Sequence, residues 1–348
     1  MTDSEGALEA PLRIDYRKVA FLLIIGVGVA LLLIRLAGEG EVLEVLSRAK
    51  PEFVLLAVIA ECLRYVAVGL YNQKILHFLG HHIRLWPFVE LMFAGGSANR
   101  IVSAGGTAGI YVRYRFFDKH GLSLGSLAIV LILQNLMTSI ILLGSFFLGL
   151  FYLLSQQLLG MTQLLVAGTM VAVILALLAA LTALYRQPRK LKRFLATSAK
   201  LVDAPIKKLT KKGIYNPKGL VRSVRSFYQA IEVARKNPLE TGKAFGYGIV
   251  TLFTDIFCLY FVFYALGFPI RLDILVVGYI ITNYIISFLL MPEGIGVTEV
   301  SLSAVYASLG VPSEIVVVAI LLFRFISFWL PIPLGLLATW DLHNKSLL

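Results

Sequence analysis

Arg100 and Arg324, together with Glu293 and Glu299, have the residue types and surroundings to do chemistry inside apolar sequence. Ionisable side chains at membrane depth are costly and usually functional. A guanidinium presents a planar fork of donors that matches the oxygens of a phosphate. Arg100 opens the run Asn99-Arg100-Ile101-Val102-Ser103-Ala104-Gly105-Gly106-Thr107-Ala108-Gly109. The glutamates lie in Leu290-Met291-Pro292-Glu293-Gly294-Ile295-Gly296-Val297-Thr298-Glu299. Glycines let backbone approach a ligand closely, and a helix restarting after such a break offers unpaired N–H groups to an anion. The candidate anion-binding set is therefore Asn99, Arg100, Gly105, Gly106, Glu293, Gly294, Gly296, Thr298, Glu299 and Arg324. Arg64, Asp255 and Trp329 stand behind it as supporting residues. The competing reading is structural: the arginines neutralise Glu293, Glu299, Asp255 or Glu61 in buried ion pairs. Arg113 and Arg115 suit plain cytoplasmic anchors.

The two glycine-rich runs look like copies. Each follows an apolar stretch opened by Arg-Leu (Arg84-Leu85, Arg271-Leu272) and precedes a Gly-containing turn (Gly121-Leu122-Ser123, Gly310-Val311-Pro312). The offset between matched landmarks drifts only from 187 to 189 residues. In lipid an unpaired backbone group costs several kcal/mol, so a broken helix survives only where protein or a water-filled cavity receives it. Paired broken helices in corresponding halves of a membrane protein are the strongest sequence pointer to a substrate site.

The bulk numbers agree with a membrane chain. Of 348 residues 58% are hydrophobic and 15% charged, and the mean hydropathy is +0.83. Soluble proteins carry about 25% charge. Sixteen of the 32 Lys/Arg residues lie between Tyr185 and Lys243 against three acids, which gives that stretch +13 of a net +12. It lacks the folded basic platform of a nucleic-acid binder and fits the main cytoplasmic loop. Leu191, Phe194, Leu195, Leu201, Val202, Ile206 and Leu209 predict an amphipathic helix there, lying on anionic headgroups. The acidic N-terminus does not read as a cleaved signal. Cys62 and Cys258 read as lone buried thiols. His77, His81 and His82 lack zinc-site spacing, and no nucleophile elbow, P-loop or dinucleotide fingerprint occurs. No metal, cofactor or catalytic residue is expected.

A full span needs about 20 apolar residues. Candidates are Val19 to Leu36, Phe53 to Leu70, Ala128 to Leu154, Leu164 to Leu184, Phe245 to Leu266 and Ile315 to Trp340. The charge rule places both termini and the basic loop in the cytoplasm and Glu39 to Glu52 outside. Segment 85–119 then starts and ends inside, and segment 272–309 starts and ends outside. The expected architecture is all-α: a polytopic integral membrane protein of about six full spans plus two re-entrant or broken hairpins in an inverted repeat. Its parts are a tail (1–18), a first membrane half (19–184), the basic loop (185–243) and a second half (244–348).

At the two tips and the last span the chain resembles the lysylphosphatidylglycerol synthase transmembrane-region proteins, also called flippase-like domain proteins. The residues that carry the resemblance are Asn99-Arg100 with Gly105-Gly106, then Pro292-Glu293-Gly294-Ile295-Gly296 with Glu299. Leu309-Gly310-Val311, Arg324, Trp329-Leu330-Pro331 and Gly335 complete the pattern. The resemblance implies a membrane domain that translocates an aminoacylated phospholipid, or one tied to polyprenyl-phosphate sugar lipids. The chain lacks the soluble synthase or transferase domain of the large members. The expected function is a lipid flippase or scramblase for an anionic headgroup, in a bacterial or archaeal cytoplasmic membrane. The alternatives are a membrane-embedded transferase with a polyprenyl-phosphate donor, which would use Glu293 or Glu299 as base, and a scaffold for a lipid-modifying enzyme. The expected partners are membrane lipids, with a lipid-modifying enzyme as a second possibility.

Overall fold

The structure is a computed structural model, and it describes residues 27–28, 31–35, 38–77, 79–102, 107–155, 168, 187, 217–288 and 296–348. The expected spans Val19 to Leu36 and Leu164 to Leu184 fall wholly or largely outside these. So do the amphipathic stretch from Leu191 to Leu209 and the tip residues Gly105, Gly106, Glu293 and Gly294. The described residues are helical, with no strand among them.

In chain order the helices are α1 (Glu39–Ser47), α2 (Pro51–His77), α3 (Leu85–Val102), α4 (Thr107–Lys119), α5 (Leu124–Ser155) and α6 (Pro217–Lys236). They continue with α7 (Pro238–Ala265), α8 (Leu272–Phe288), α9 (Val297–Ser308) and α10 (Ser313–Arg324). A π-helical turn (Phe325–Trp329) then leads into α11 (Pro331–Asn344). Four stretches among the described residues are long and apolar enough to cross a membrane: Pro51–His77, Leu124–Gly149, Pro238–Ala265 and Ser313–Asn344. They match four of the six expected spans, and in two of them helix persists past the apolar run into residues such as Lys74 and Glu240. Within the basic loop, the described part is helix α6, with Ser226 and Ala230 buried and Arg225, Arg235 and Lys236 exposed.

Helices α2 and α7 are packed antiparallel. Lys50 N–H donates to Ala265 O at 2.7 Å at one end, and Lys74 pairs with Glu240 at 3.5 Å at the other. The α3–α4 pair starts beside the C-terminus of α2, and the α8–α9 pair beside the C-terminus of α7. Since α2 and α7 run oppositely, the two pairs open toward opposite ends of the bundle. The members of each pair lie against one another: Gly109 of α4 packs on Gly95 of α3, and the Tyr306 hydroxyl of α9 donates to Leu275 O of α8 at 2.7 Å.

Two apolar clusters fill the bundle. One gathers Leu259, Phe263, Leu275, Leu302, Tyr306 and Ile320 around the α8–α9 pair. The other gathers Leu76, Phe88, Leu91, Phe116, Phe117 and Leu133 around the α3–α4 pair. On α2 the change of cluster falls between Ala60 and Tyr65, at Glu61 and Arg64. On α7 it falls between Ala244 and Ile256, next to Asp255. The ionised side chains therefore form a belt between two dry halves, where burying them demands partners.

Candidate functional site

Arg100 sits near the end of α3, and its Nη1 donates to the Tyr65 hydroxyl at 2.8 Å. Its Nη2 donates to the Ser327 carbonyl at 3.2 Å. That carbonyl is free for a reason written in the sequence. Pro331 has no N–H, so the oxygen four residues earlier loses its helical donor. The chain answers with a π turn, in which Leu330 N–H donates to Phe325 O at 2.9 Å. The turn was not anticipated: Ile315 to Trp340 reads as one uninterrupted helix from its apolar content alone.

Arg324 donates from Nε to Glu299 Oε1 at 2.7 Å, with both side chains about nine-tenths buried (12% and 11% exposed). The other Glu299 oxygen accepts the Gly296 N–H at 2.7 Å, which is half of a capping box at the start of α9. Gly296 has φ +83°, a left-handed conformation that favours glycine. Thr298 is buried in the same first turn. Both arginines stack on one ring. The Cζ atoms of Arg100 and Arg324 lie 5.3 and 4.6 Å from the centroid of buried Phe328. Trp329 packs edge-on against that ring, with centroids 5.2 Å apart. Arg100 Nε and Arg324 Nη2 are buried without an acceptor among the described residues.

A second group lies alongside. Arg64 grips Glu61 with two hydrogen bonds of 2.9 and 2.6 Å and stands 3.8 Å from Asp255. The Tyr279 hydroxyl donates to the other Asp255 oxygen. The Arg64 Cζ lies 4.7 Å from the centroid of the Tyr65 ring, so Tyr65 joins the two groups.

The sequence-derived residues thus separate. Arg100, Arg324, Glu299 and Trp329 meet around Phe328, whereas Arg64 and Asp255 belong to the neighbouring cluster. Asn99 accepts the Gly109 N–H at 2.6 Å and closes the α3–α4 pair on itself. Gly105, Gly106, Glu293 and Gly294 lie outside the described residues. Sequence reasoning missed Tyr65, Ser327, Phe328 and Tyr279, since none is charged and each matters only through its partner. Pro331 was the one readable signal for Ser327. Arg113, expected as a cytoplasmic anchor, packs between helices instead, with Nη1 2.9 Å from Gln134 Oε1 and Nη2 3.4 Å from Met92 Sδ. Among the described residues no group of three His, Cys, Asp or Glu side chains has a metal-holding arrangement.

Close helix packing fixes these positions. A Cβ on Gly335 of α11 would overlap Phe93 O and the Ser97 side chain of α3. Lys345, just past α11, pairs with Glu90 of α3 at 2.9 Å. Asp341 first, and Glu90 with it, raises the Lys345 ammonium above its ordinary pKa.

An all-helical membrane protein with a belt of charged side chains between two apolar clusters is the class this geometry defines. The chain matches the lysylphosphatidylglycerol synthase TM region over residues 21–335 and belongs to that family. It is similar along nearly its whole length to archaeal proteins described as UPF0104 membrane proteins. One from Pyrococcus horikoshii is 26% identical over 344 residues, covering 95% of this chain and 98% of the relative. One from Methanocaldococcus jannaschii is 22% identical over 336 residues, covering 94% and 96%. A third, from Methanothermobacter thermautotrophicus, is 23% identical over 326 residues, covering 92% and 94%.

Proposed function

We propose that the protein binds the phosphate of an anionic lipid between Arg100 and Arg324 and moves that lipid across the bilayer as a flippase or scramblase. The observation that carries this reading is the pair of buried guanidinium N–H groups at Phe328 that have no acceptor among the described residues. A buried donor left without an acceptor costs about 1–3 kcal/mol, and more when charged. Phosphate oxygens are charged acceptors of the kind both groups lack. The headgroup enters the belt while the acyl chains stay in the bilayer. In this reading the α3–α4 and α8–α9 pairs are re-entrant hairpins of an inverted repeat. Both termini and the 185–243 loop face the cytoplasm. Aminoacyl-phospholipids, phospholipids and polyprenyl-phosphate lipids share the phosphate on which the reading rests.

The transferase alternative needs a free base beside the phosphate. Glu299 does not suit that role, because Arg324 and the Gly296 N–H each engage one of its oxygens. The test is movement of a fluorescent phosphatidylglycerol in proteoliposomes holding only this protein. Arg100→Ala and Arg324→Ala should each abolish movement in protein that still inserts and folds. Lysine replacements should rescue only partly, since they lose the fork. Stable, monodisperse alanine variants with full activity would overturn the proposal.

A further inference from the structure

Resting on the anion site above, we infer that the Glu61–Arg64–Asp255–Tyr279 cluster holds a proton more tightly when an anion occupies Arg100, so that anion binding draws protons into the belt. The cluster holds two carboxylates and one guanidinium at the middle of the α2–α7 pair. Its net charge is −1, in a place where an uncompensated charge is expensive. Arg100 supplies the missing positive charge. Among the described residues no carboxylate pairs with it, and its only hydrogen-bond partners are Tyr65 Oη and Ser327 O.

The link runs through Tyr65. Its hydroxyl accepts from Arg100 and its ring lies under Arg64, which keeps the two cations within about 10 Å of each other. An anion on Arg100 cancels the charge that offsets the acidic pair. At an effective dielectric near 20, losing a unit charge about 10 Å away changes proton affinity on the order of tenfold. The carboxylate pair then carries a proton, taken from water as an O–H bond, for a larger fraction of the time and offsets part of the lost charge. That proton leaves when the anion is released. The proton belongs to the pair as a unit.

Among the described residues the other charges near the cluster are paired, apart from Arg113, which lies beyond Arg100 on the α4 side with Gln134 and Met92 as its partners. From α2 the cluster is faced by Glu61, Cys62, Arg64 and Tyr65, from α7 by Asp255 and Cys258, and from α8 by Tyr279 and Asn283. Helix α10 brings Arg324, already matched one-to-one by Glu299 of α9. Helix α5 has no charged residue. Lys74, Glu240 and Lys243 pair among themselves at the far end of α2 and α7, where α6 also packs. The Glu299–Arg324 pair is neutral on its own, so it has no need of a proton.

The experiment is calorimetric titration of the full chain in mild detergent with dihexanoyl phosphatidylglycerol, repeated in buffers of different ionisation enthalpy. This phosphodiester carries one charge and does not titrate near neutrality, so any proton exchanged belongs to the protein. Uptake per anion should pass through a maximum of about half a proton as the pH is varied, the fraction a tenfold change in proton affinity allows. Asp255→Asn should still bind the lipid, with uptake near zero. Tyr279→Phe should keep the uptake and move its maximum. Wild-type binding without proton exchange at any pH overturns the inference and leaves the anion site standing, whether or not Asp255→Asn folds. Undiminished uptake by a folded Asp255→Asn also overturns it. Failure of the wild type to bind the lipid removes the anion site, and the linkage with it.

Discussion

Replacing Arg324 with methionine strands the Glu299 carboxylate in a site where its side chain is 11% exposed. Removing one partner of a buried pair costs about 3–5 kcal/mol, and the residual exposure points to the lower end, about 3 kcal/mol. Unfolding entropy of about 2.1 cal/mol/K per residue, taken over the 348-residue chain, converts each kcal/mol into about 1.4 °C. The thermal midpoint in detergent should therefore fall by about 4 °C. Adding Glu299→Gln removes the stranded charge and leaves an amide oxygen to accept the Gly296 N–H, so the double variant should recover at least half of the loss. Lipid movement separates the roles of the arginine. If Arg324 binds phosphate, the double variant regains stability and stays inactive. Intrinsic-fluorescence melts run beside the proteoliposome assay give both readings. An unchanged midpoint in the single variant refutes the buried pair, and wild-type lipid movement in the double variant refutes the phosphate role.

Pro331→Ala restores an N–H four residues after Ser327 and lets the π turn relax to α-helix. Lipid movement should drop several-fold, because the restored N–H competes with Arg100 for its carbonyl partner, and the melt should not rise, because straightening the turn would rotate α11 off α3; unchanged transport would contradict this. Gly335→Ala drives a methyl into Phe93 O and Ser97, so overpacking should cost about 1–3 kcal/mol. A wild-type melting curve for that variant would show that α3 and α11 separate freely. Arg225→Cys, on the exposed face of α6, should react with impermeant thiol reagents only from the cytoplasmic side; labelling from outside intact cells would invert the proposed orientation.

Helix breaks were legible because glycine and proline act locally. Asn99 to Gly109 and Leu290 to Glu299 each announce an interruption, and the helices on either side pack back on one another at Gly95–Gly109 and Leu275–Tyr306. The long apolar runs announced four described spans for the same reason. Partner choice was not legible. Arg64 suits Glu61 by helical spacing, yet its approach to Asp255 depends on α2 and α7 lying antiparallel, which no local pattern encodes. Arg113 resembles any interface arginine until α5 brings Gln134 against it. Phe328 reads as one more apolar residue, although two guanidiniums converge on it. The candidate site was thus half readable: its charges stood out, and the neutral side chains that organise them did not.

The π turn also sets the angular register of the last span. At about 100° per residue, Arg324 and Gly335 of an unbroken α-helix would lie within about 20° of one another on a single stripe. One extra residue in the turn swings everything after it by about 100°, opening that separation to about 80°. Arg324 can then address Glu299 on α9 while Gly335 seats against α3. One continuous span is thereby aligned to two different neighbours. Straightening Phe325–Trp329 to α-helix at unchanged length would force the span to satisfy one at the expense of the other, whereas deleting one residue there would keep the separation of about 80° without the π turn.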